Sequence, residues 1–243
     1  MAGIDARDRL ILALDVPSTE EAEHLLDRVG PAVRFVKIGL ELFAAGGPEI
    51  VRQARDRGYR VFLDLKFLDI EETVRRATAR VAAMGVEFLT VHANRKALRA
   101  AVEGRKEGGN PSLKLLAVTV LTNFDSGDLR DMGIQWSVGD LVVARAKLAL
   151  EVGCDGVVAS GEEPPAIRRT LGPDLLIVTP GIRPSGSGTH EHARVASPGQ
   201  AIEAGADYLV VGRPIRTAED PRQGADSIVA DMQAGFDARR RES

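Results

Sequence analysis

The sequence predicts a closed (β/α)8 barrel with its functional face at the C-terminal ends of the strands. Three observations predict it. Short, near-continuously apolar runs rich in β-branched residues recur along the whole chain, helix-period segments separate them, and the polar residues within the runs gather at their C-terminal ends. The length, 243 residues, suits one such barrel, read as a single domain over 1–243 with no linker and no low-complexity tract.

Taken in order, the strand candidates are LILALDV (10–16), FVKIGL (35–40), VFLDLK (61–66), FLTVHA (88–93), LLAVTV (115–120), GVVAS (156–160), LLIVTPG (175–181) and YLVVGR (208–213). Continuous apolar character, rather than strict alternation, is what parallel strands covered on both faces require. The helical segments include TEEAEHLLDRVG (19–30), PEIVRQARDRG (48–58), ETVRRATARVAAMG (72–85) and VARAKLALEVG (143–153), each closed by a glycine. Eight strand–helix units of about 30 residues each close a barrel. A doubly wound open sheet fits less well, because the first strand runs into LDVPST with no G-x-G-x-x-G turn.

Composition narrows the function. With 44% hydrophobic and 28% charged residues the chain has ordinary globular composition, and a net charge of −3 argues against a nucleic-acid or anionic-membrane partner. The lone Cys154 cannot close an internal disulfide and fits a reducing compartment. The opening MAGIDARDRL has no apolar signal core, and no run nears the roughly 18 apolar residues of a membrane span. A cytoplasmic protein is the expectation.

Asp15, Lys37, Asp64, Lys66, His92, Thr119, Ser160, Thr179 and Arg213 lie at or near strand C-termini, the face that carries catalysis in such barrels. Asp64 and Lys66, two apart on one strand, project to the same side. The carboxylate favours the charged ammonium, which can donate a proton or stabilise a developing anion; a structural salt bridge is the competing reading. Asp69, with Glu72 three residues on and a helical run following, reads as an acidic N-cap with a capping-box partner.

The loop TPGIRPSGSGTHEHARVASP (179–198) and the GRP at 212–214 follow the last two strands, where many barrels of this kind hold phosphate on backbone N–H groups. Arg183 and Arg213 supply charge, Gly212 allows close backbone approach, and the Gly/Ser loop suits a closing lid. His190, Glu191 and His192 match no closed metal site in spacing, so no metal is expected.

In family terms, D-x-K-x-x-D at 64–69, ALD at 13–15, VKIG at 36–39, VTVLT at 118–122, TPGIRP at 179–184 and GRPI at 212–215 resemble orotidine 5′-monophosphate decarboxylases, in that family's order. The resemblance spans all but the extreme termini, and the pairing of D-x-K-x-x-D with TPGIRP and GRP is what makes it specific. It implies cofactor-free decarboxylation of orotidine 5′-monophosphate by a homodimer, with no metal. Lys66 would be the proton donor and Asp64 would face the departing carboxylate. Asp69, Ile70 and Thr73 would reach into the neighbouring subunit's site. Asp15 and Lys37 would hold the ribose, Thr122 the pyrimidine, and Arg183, Gly212 and Arg213 the phosphate, with Pro180 also among the substrate-binding residues. His192 stands where the family usually has a phosphate-binding glutamine, and Leu68, Glu71 and Glu72 depart from the usual stretch around the second aspartate.

Two other readings stay open. A Schiff-base aldolase on the same barrel needs a neutral lysine, which the neighbouring carboxylates disfavour. A non-catalytic phosphate-binding barrel would make Lys66 dispensable.

Overall fold

The structure is a computed structural model describing residues 4–183 and 196–242. Eight strands, each parallel to both neighbours, close a barrel in sequence order: β1 Leu10–Ala13, β2 Phe35–Gly39, β3 Arg60–Phe67, β4 Phe88–His92, β5 Lys114–Val118, β6 Gly156–Val158, β7 Leu176–Pro180 and β8 Tyr208–Val211. The helices outside are α1 Thr19–Val29, α2 Leu40–Asp56, α3 Glu71–Ala83, α4 Arg95–Glu107, α5 Ser126–Asp131, α6 Val138–Val152, α7 Pro164–Leu171, α8 Pro198–Glu203, α9 Arg213–Arg216 and α10 Pro221–Glu242.

Each strand feeds two cores, which is why its sequence reads as continuously apolar. One set of alternate residues, among them Leu12, Ile38, Leu63, Leu89 and Ile177, packs under the helices. The other set, including Ile11, Phe35, Phe62, Phe88, Val178 and Tyr208, fills the barrel interior. The interior floor is aromatic. Phe88 meets Phe35 and Tyr208 at centroid separations of 5.0 Å each, both edge-to-face, and Phe62 at 5.8 Å. Going up the same inward positions, the aromatic floor gives way to polar groups: Phe35 to Lys37, Phe62 to Asp64, Phe88 to Thr90. Burial therefore orders the strands from an apolar base to a charged mouth.

Several predicted strands run past their observed ends. β1 stops at Ala13, β5 at Val118, β6 at Val158 and β8 at Val211. The apolar residues beyond, such as Val16 and Val120, are buried in the loops of the mouth, so burial outlasts the ladder there. α2 starts eight residues before the predicted segment, at Leu40, but breaks at Gly47, whose left-handed φ of 55° precedes Pro48. The expected capping box at α3 does not form. Its N-cap is Ile70, with no side-chain cap bond; Asp69 Oδ1 accepts from the adjacent Ile70 N–H at 2.6 Å. Glu72 is drawn instead onto Arg75 and Arg76 of its own helix, which takes away the reciprocal half of the box.

Candidate active site

The mouth is organised around a bulge in β3. Leu63 pairs with Leu89 and Phe67 with Val91, so three residues of β3, Asp64 to Lys66, stand opposite the single residue Thr90 of β4. The excess length is absorbed at Lys66, which adopts φ 49°, the left-handed region, and is the only non-glycine residue to do so among those described. Such a conformation costs on the order of 1–3 kcal/mol and persists only where neighbours over-determine it. Here the Lys66 N–H, with no carbonyl partner at the bulge, donates to Thr90 Oγ1 at 2.9 Å, and that hydroxyl donates to Asp64 Oδ1 at 2.9 Å.

Asp64 is thereby the hub of a charged chain. Its Oδ2 lies 2.9 Å from Lys66 Nζ and 3.7 Å from Lys37 Nζ, and Lys37 Nζ donates to Asp15 Oδ1 at 2.8 Å. Two ammonium and two carboxylate groups alternate across β1, β2 and β3. Lys37 is buried and held, while the Lys66 side chain keeps 31% exposure toward the open mouth. The glycine of VKIG has a steric reason: a Cβ on Gly39 would sit 3.0 Å from Lys37 Nζ.

A cavity of about 1050 Å³ opens over this chain, and most of the predicted site residues line it: Asp15, Lys37, Asp64, Lys66, Thr122, Pro180, Arg183, Gly212 and Arg213. Of these, Lys37, Asp64 and Lys66 stand on β2 and β3 and Asp15 just beyond β1, whereas Arg183 follows β7 and Arg213 opens α9 after β8. One side of the cavity thus carries the paired ammonium and carboxylate groups, and the other carries two guanidinium groups. Three predicted residues are not brought into it within one protomer: Asp69, Ile70 and Thr73 are exposed outside it, Ile70 by 72%. His192, with His190 and Glu191, lies outside the described residues. Among the described residues no group of three or more His, Cys, Asp or Glu side chains is placed to hold a metal ion.

The predicted ring of polar strand ends divides. Ser160 lines the cavity, but Thr119 donates to the carbonyl of Val158 at 2.9 Å and Thr179 is buried away from it. His92, half-buried, is held below the ordinary histidine range by burial and then by the charges of Arg145 and Lys66, so it adds no positive charge near neutrality. Two features escape sequence reasoning. Thr90 is one, although its place two residues after Phe88 and two before His92 gave its direction. The other is Glu163, which lines the cavity, accepts the Ser160 N–H at 2.7 Å and has its carboxyl pushed up by burial.

Known proteins resemble this chain along most of its length. The sequence profile of the Orotidine 5′-phosphate decarboxylase / HUMPS family matches residues 8–228. A protein of Nitrobacter winogradskyi named orotidine 5′-phosphate decarboxylase is 51% identical over 227 residues, covering 93% of each chain. Another of that name from Methylobacterium nodulans is 51% identical over 228 residues, 94% of this chain and 97% of its own. Among solved structures, orotidine 5′-phosphate decarboxylase from Lactobacillus acidophilus superposes with a TM-score of 0.83 at 36% identity, over 92% of this chain and 98% of its own.

Proposed function

The chain belongs to the orotidine 5′-phosphate decarboxylase / HUMPS family, and from that premise we propose that it converts orotidine 5′-monophosphate to uridine 5′-monophosphate and carbon dioxide, with Lys66 as the proton donor. The observation that carries this reading is the Lys66–Asp64 contact of 2.9 Å, opening into a cavity that also holds Arg183 and Arg213.

The chemistry asks for such an array. The bond between the pyrimidine ring and its carboxylate breaks with the electron pair left on the ring carbon, and no cofactor delocalises it. Fixed positive charge must already be in place, and the Lys66 ammonium supplies it. The same group then gives its proton to that carbon and is left as the amine. Asp64, held between two ammonium groups, faces the departing carboxylate and keeps Lys66 aimed. Asp15 and Lys37 hold the ribose hydroxyls, Thr122 and Pro180 border the pyrimidine, and Arg183, Gly212 and Arg213 grip the phosphate, with His192 assigned to the same grip.

A second copy of the chain completes the site. Asp69, Ile70 and Thr73 face away from their own cavity and serve the neighbour's in a homodimer. Exposed Leu40 (60%), Leu68 (58%) and Ile70 (72%), all just beyond β2 and β3, supply the apolar surface for that contact. The enzyme works as one barrel domain in the cytoplasm without metal or organic cofactor; among the described residues no helix is long and apolar enough to cross a membrane.

The test is an ultraviolet assay on orotidine 5′-monophosphate in chelator-treated buffer. Wild type turns the nucleotide over, and Lys66→Ala loses at least about 10³-fold in kcat while still binding uridine 5′-monophosphate. A Lys66→Ala enzyme within about tenfold of wild type would remove the proton-donor role. Activity lost to the chelator and restored by a divalent ion would point to a metal-dependent sugar-phosphate decarboxylase instead.

A further inference from the structure

We infer that Thr90 is a positioning residue for the catalytic lysine, acting through a single hydroxyl that fixes both the backbone of Lys66 and the carboxylate of Asp64. The inference rests on the roles proposed above for those two residues and goes beyond them.

The bulge sets the problem. Three β3 residues face one β4 residue, so the ladder has no carbonyl for the Lys66 N–H, and Lys66 sits at φ 49°. A residue with a Cβ in a left-handed conformation relaxes unless something holds it. Thr90 Oγ1 takes that N–H at 2.9 Å and gives its own proton to Asp64 Oδ1 at 2.9 Å. One oxygen therefore uses its donor and an acceptor site on two residues that meet again at 2.9 Å through Nζ and Oδ2. The result is a closed loop: Lys66 backbone, Thr90 hydroxyl, Asp64 carboxylate, Lys66 ammonium. Its rigidity comes from three contacts rather than one.

Thr90 is well suited to hold that loop and unsuited to touch substrate. It is fully buried, and it does not line the cavity. Its β-branch restricts χ1, so the hydroxyl points without a search among rotamers. With the hydroxyl taken by Asp64, the carboxylate oxygen left toward the mouth is Oδ2, the one that faces both lysines. Remove the hydroxyl and the Lys66 N–H loses its partner, Asp64 loses its orienting donor, and the ammonium is free to wander by a distance comparable to the reach of proton transfer.

Thr90→Val keeps the shape and deletes the hydroxyl; Thr90→Ser keeps the hydroxyl and deletes the methyl. A positioning role predicts that Thr90→Val loses about 100-fold in kcat, the cost of a misplacement near 1 Å, with KM within about threefold of wild type. Thr90→Ser is expected within about fivefold in kcat, short of full recovery because its rotamer is less restricted. A merely structural hydroxyl predicts that Thr90→Val loses thermal stability in step with any loss of activity, while Thr90→Ser keeps both. Equal impairment of the two, or wild-type kcat in Thr90→Val, overturns the inference. If Thr90→Val does not fold, Thr90→Ala is read the same way against Thr90→Ser. Lys66→Ala is assayed beside them. An inactive Lys66→Ala with an unimpaired Thr90→Val overturns the role of Thr90 alone, whereas an active Lys66→Ala overturns the roles of both.

Discussion

The two ends of the barrel both carry ion pairs, and the best-connected cations differ between them. At the N-terminal end the best-connected cations are arginines that each hold several acceptors. Arg60 donates to Glu87 at 2.6 Å and to the Asp8 carbonyl at 2.8 Å, with its guanidinium 4.3 Å over the Phe35 ring. Arg168 donates to Asp207 and to the carbonyls of Gly205 and Leu175. Arg105 ties Asp155 to the Leu113 carbonyl. At the C-terminal end the chain Lys66–Asp64–Lys37–Asp15 uses lysines, and among the described residues the Lys66 ammonium has one partner, Asp64. A planar guanidinium fastens several acceptors in fixed directions, whereas an ammonium with unused N–H groups can turn one toward a reacting atom and give its proton away. Similar ion-pairing thus suits cohesion at one end and the proposed chemistry at the other, and the number of acceptors each cation holds separates the two.

That contrast is sharpest in variants that should damage one end only. After Lys66→Ala, the largest effect is expected from Arg213→Ala, whose side chain lines the mouth apart from the charged chain. If the phosphate grip serves the chemical step as well as docking, kcat falls along with kcat/KM, the latter by about 2–4 kcal/mol. Both enzymes should be equally poor on the phosphate-free nucleoside, and the melting temperature should hold. Full kinetic profiles on nucleotide and nucleoside decide it, and a variant as fast as wild type on the nucleotide takes Arg213 out of the site.

Arg168→Leu is the mirror experiment at the other end. Leaving Asp207 and the carbonyls of Gly172, Pro173, Leu175 and Gly205 short of a donor should cost about 2–3 kcal/mol of stability, read by denaturant unfolding, with kcat and KM of the folded enzyme unchanged. A drop in kcat without loss of stability would erase the division between the two ends.

The smallest effect concerns His92, just above the charged chain. Burial and neighbouring positive charge place its folded pKa below the unfolded one. Its contribution to stability is therefore complete above the ordinary histidine range and is lost as pH falls through the depressed folded value. His92→Gln should shrink the fall in melting temperature between about pH 7.5 and about pH 5, by no more than ~2 °C for a half-exposed group in a chain this long. An unchanged acid-side slope in the variant removes His92 as its source.

How much of this was legible in the sequence follows from locality. Strand order and the placement of Asp15, Lys37, Asp64, Lys66 and Arg213 could be read because two-sided burial writes itself into continuous apolar runs, and polar residues in such runs stand out. The β3 bulge was illegible: LDLKF carries no glycine or proline to mark it, and it exists only as a mismatch with β4. Thr90 was hidden for the same reason, since its partners lie 24 and 26 residues away. The Asp69 capping box satisfied its local pattern and still failed, because Arg75 and Arg76 offered Glu72 a charged partner that a single backbone N–H does not match.

The aromatic floor has a consequence for traffic. Phe35, Phe62, Phe88 and Tyr208 leave no more than 6% of any ring residue exposed, and guanidinium groups of Arg9 and Arg60 stack on Tyr208 and Phe35. The barrel is a cup and not a pipe. Substrate enters through the rim, and the floor offers carbon dioxide no rear exit. Both products share one doorway, so the order in which two molecules of very different size depart is constrained by a stack of buried rings.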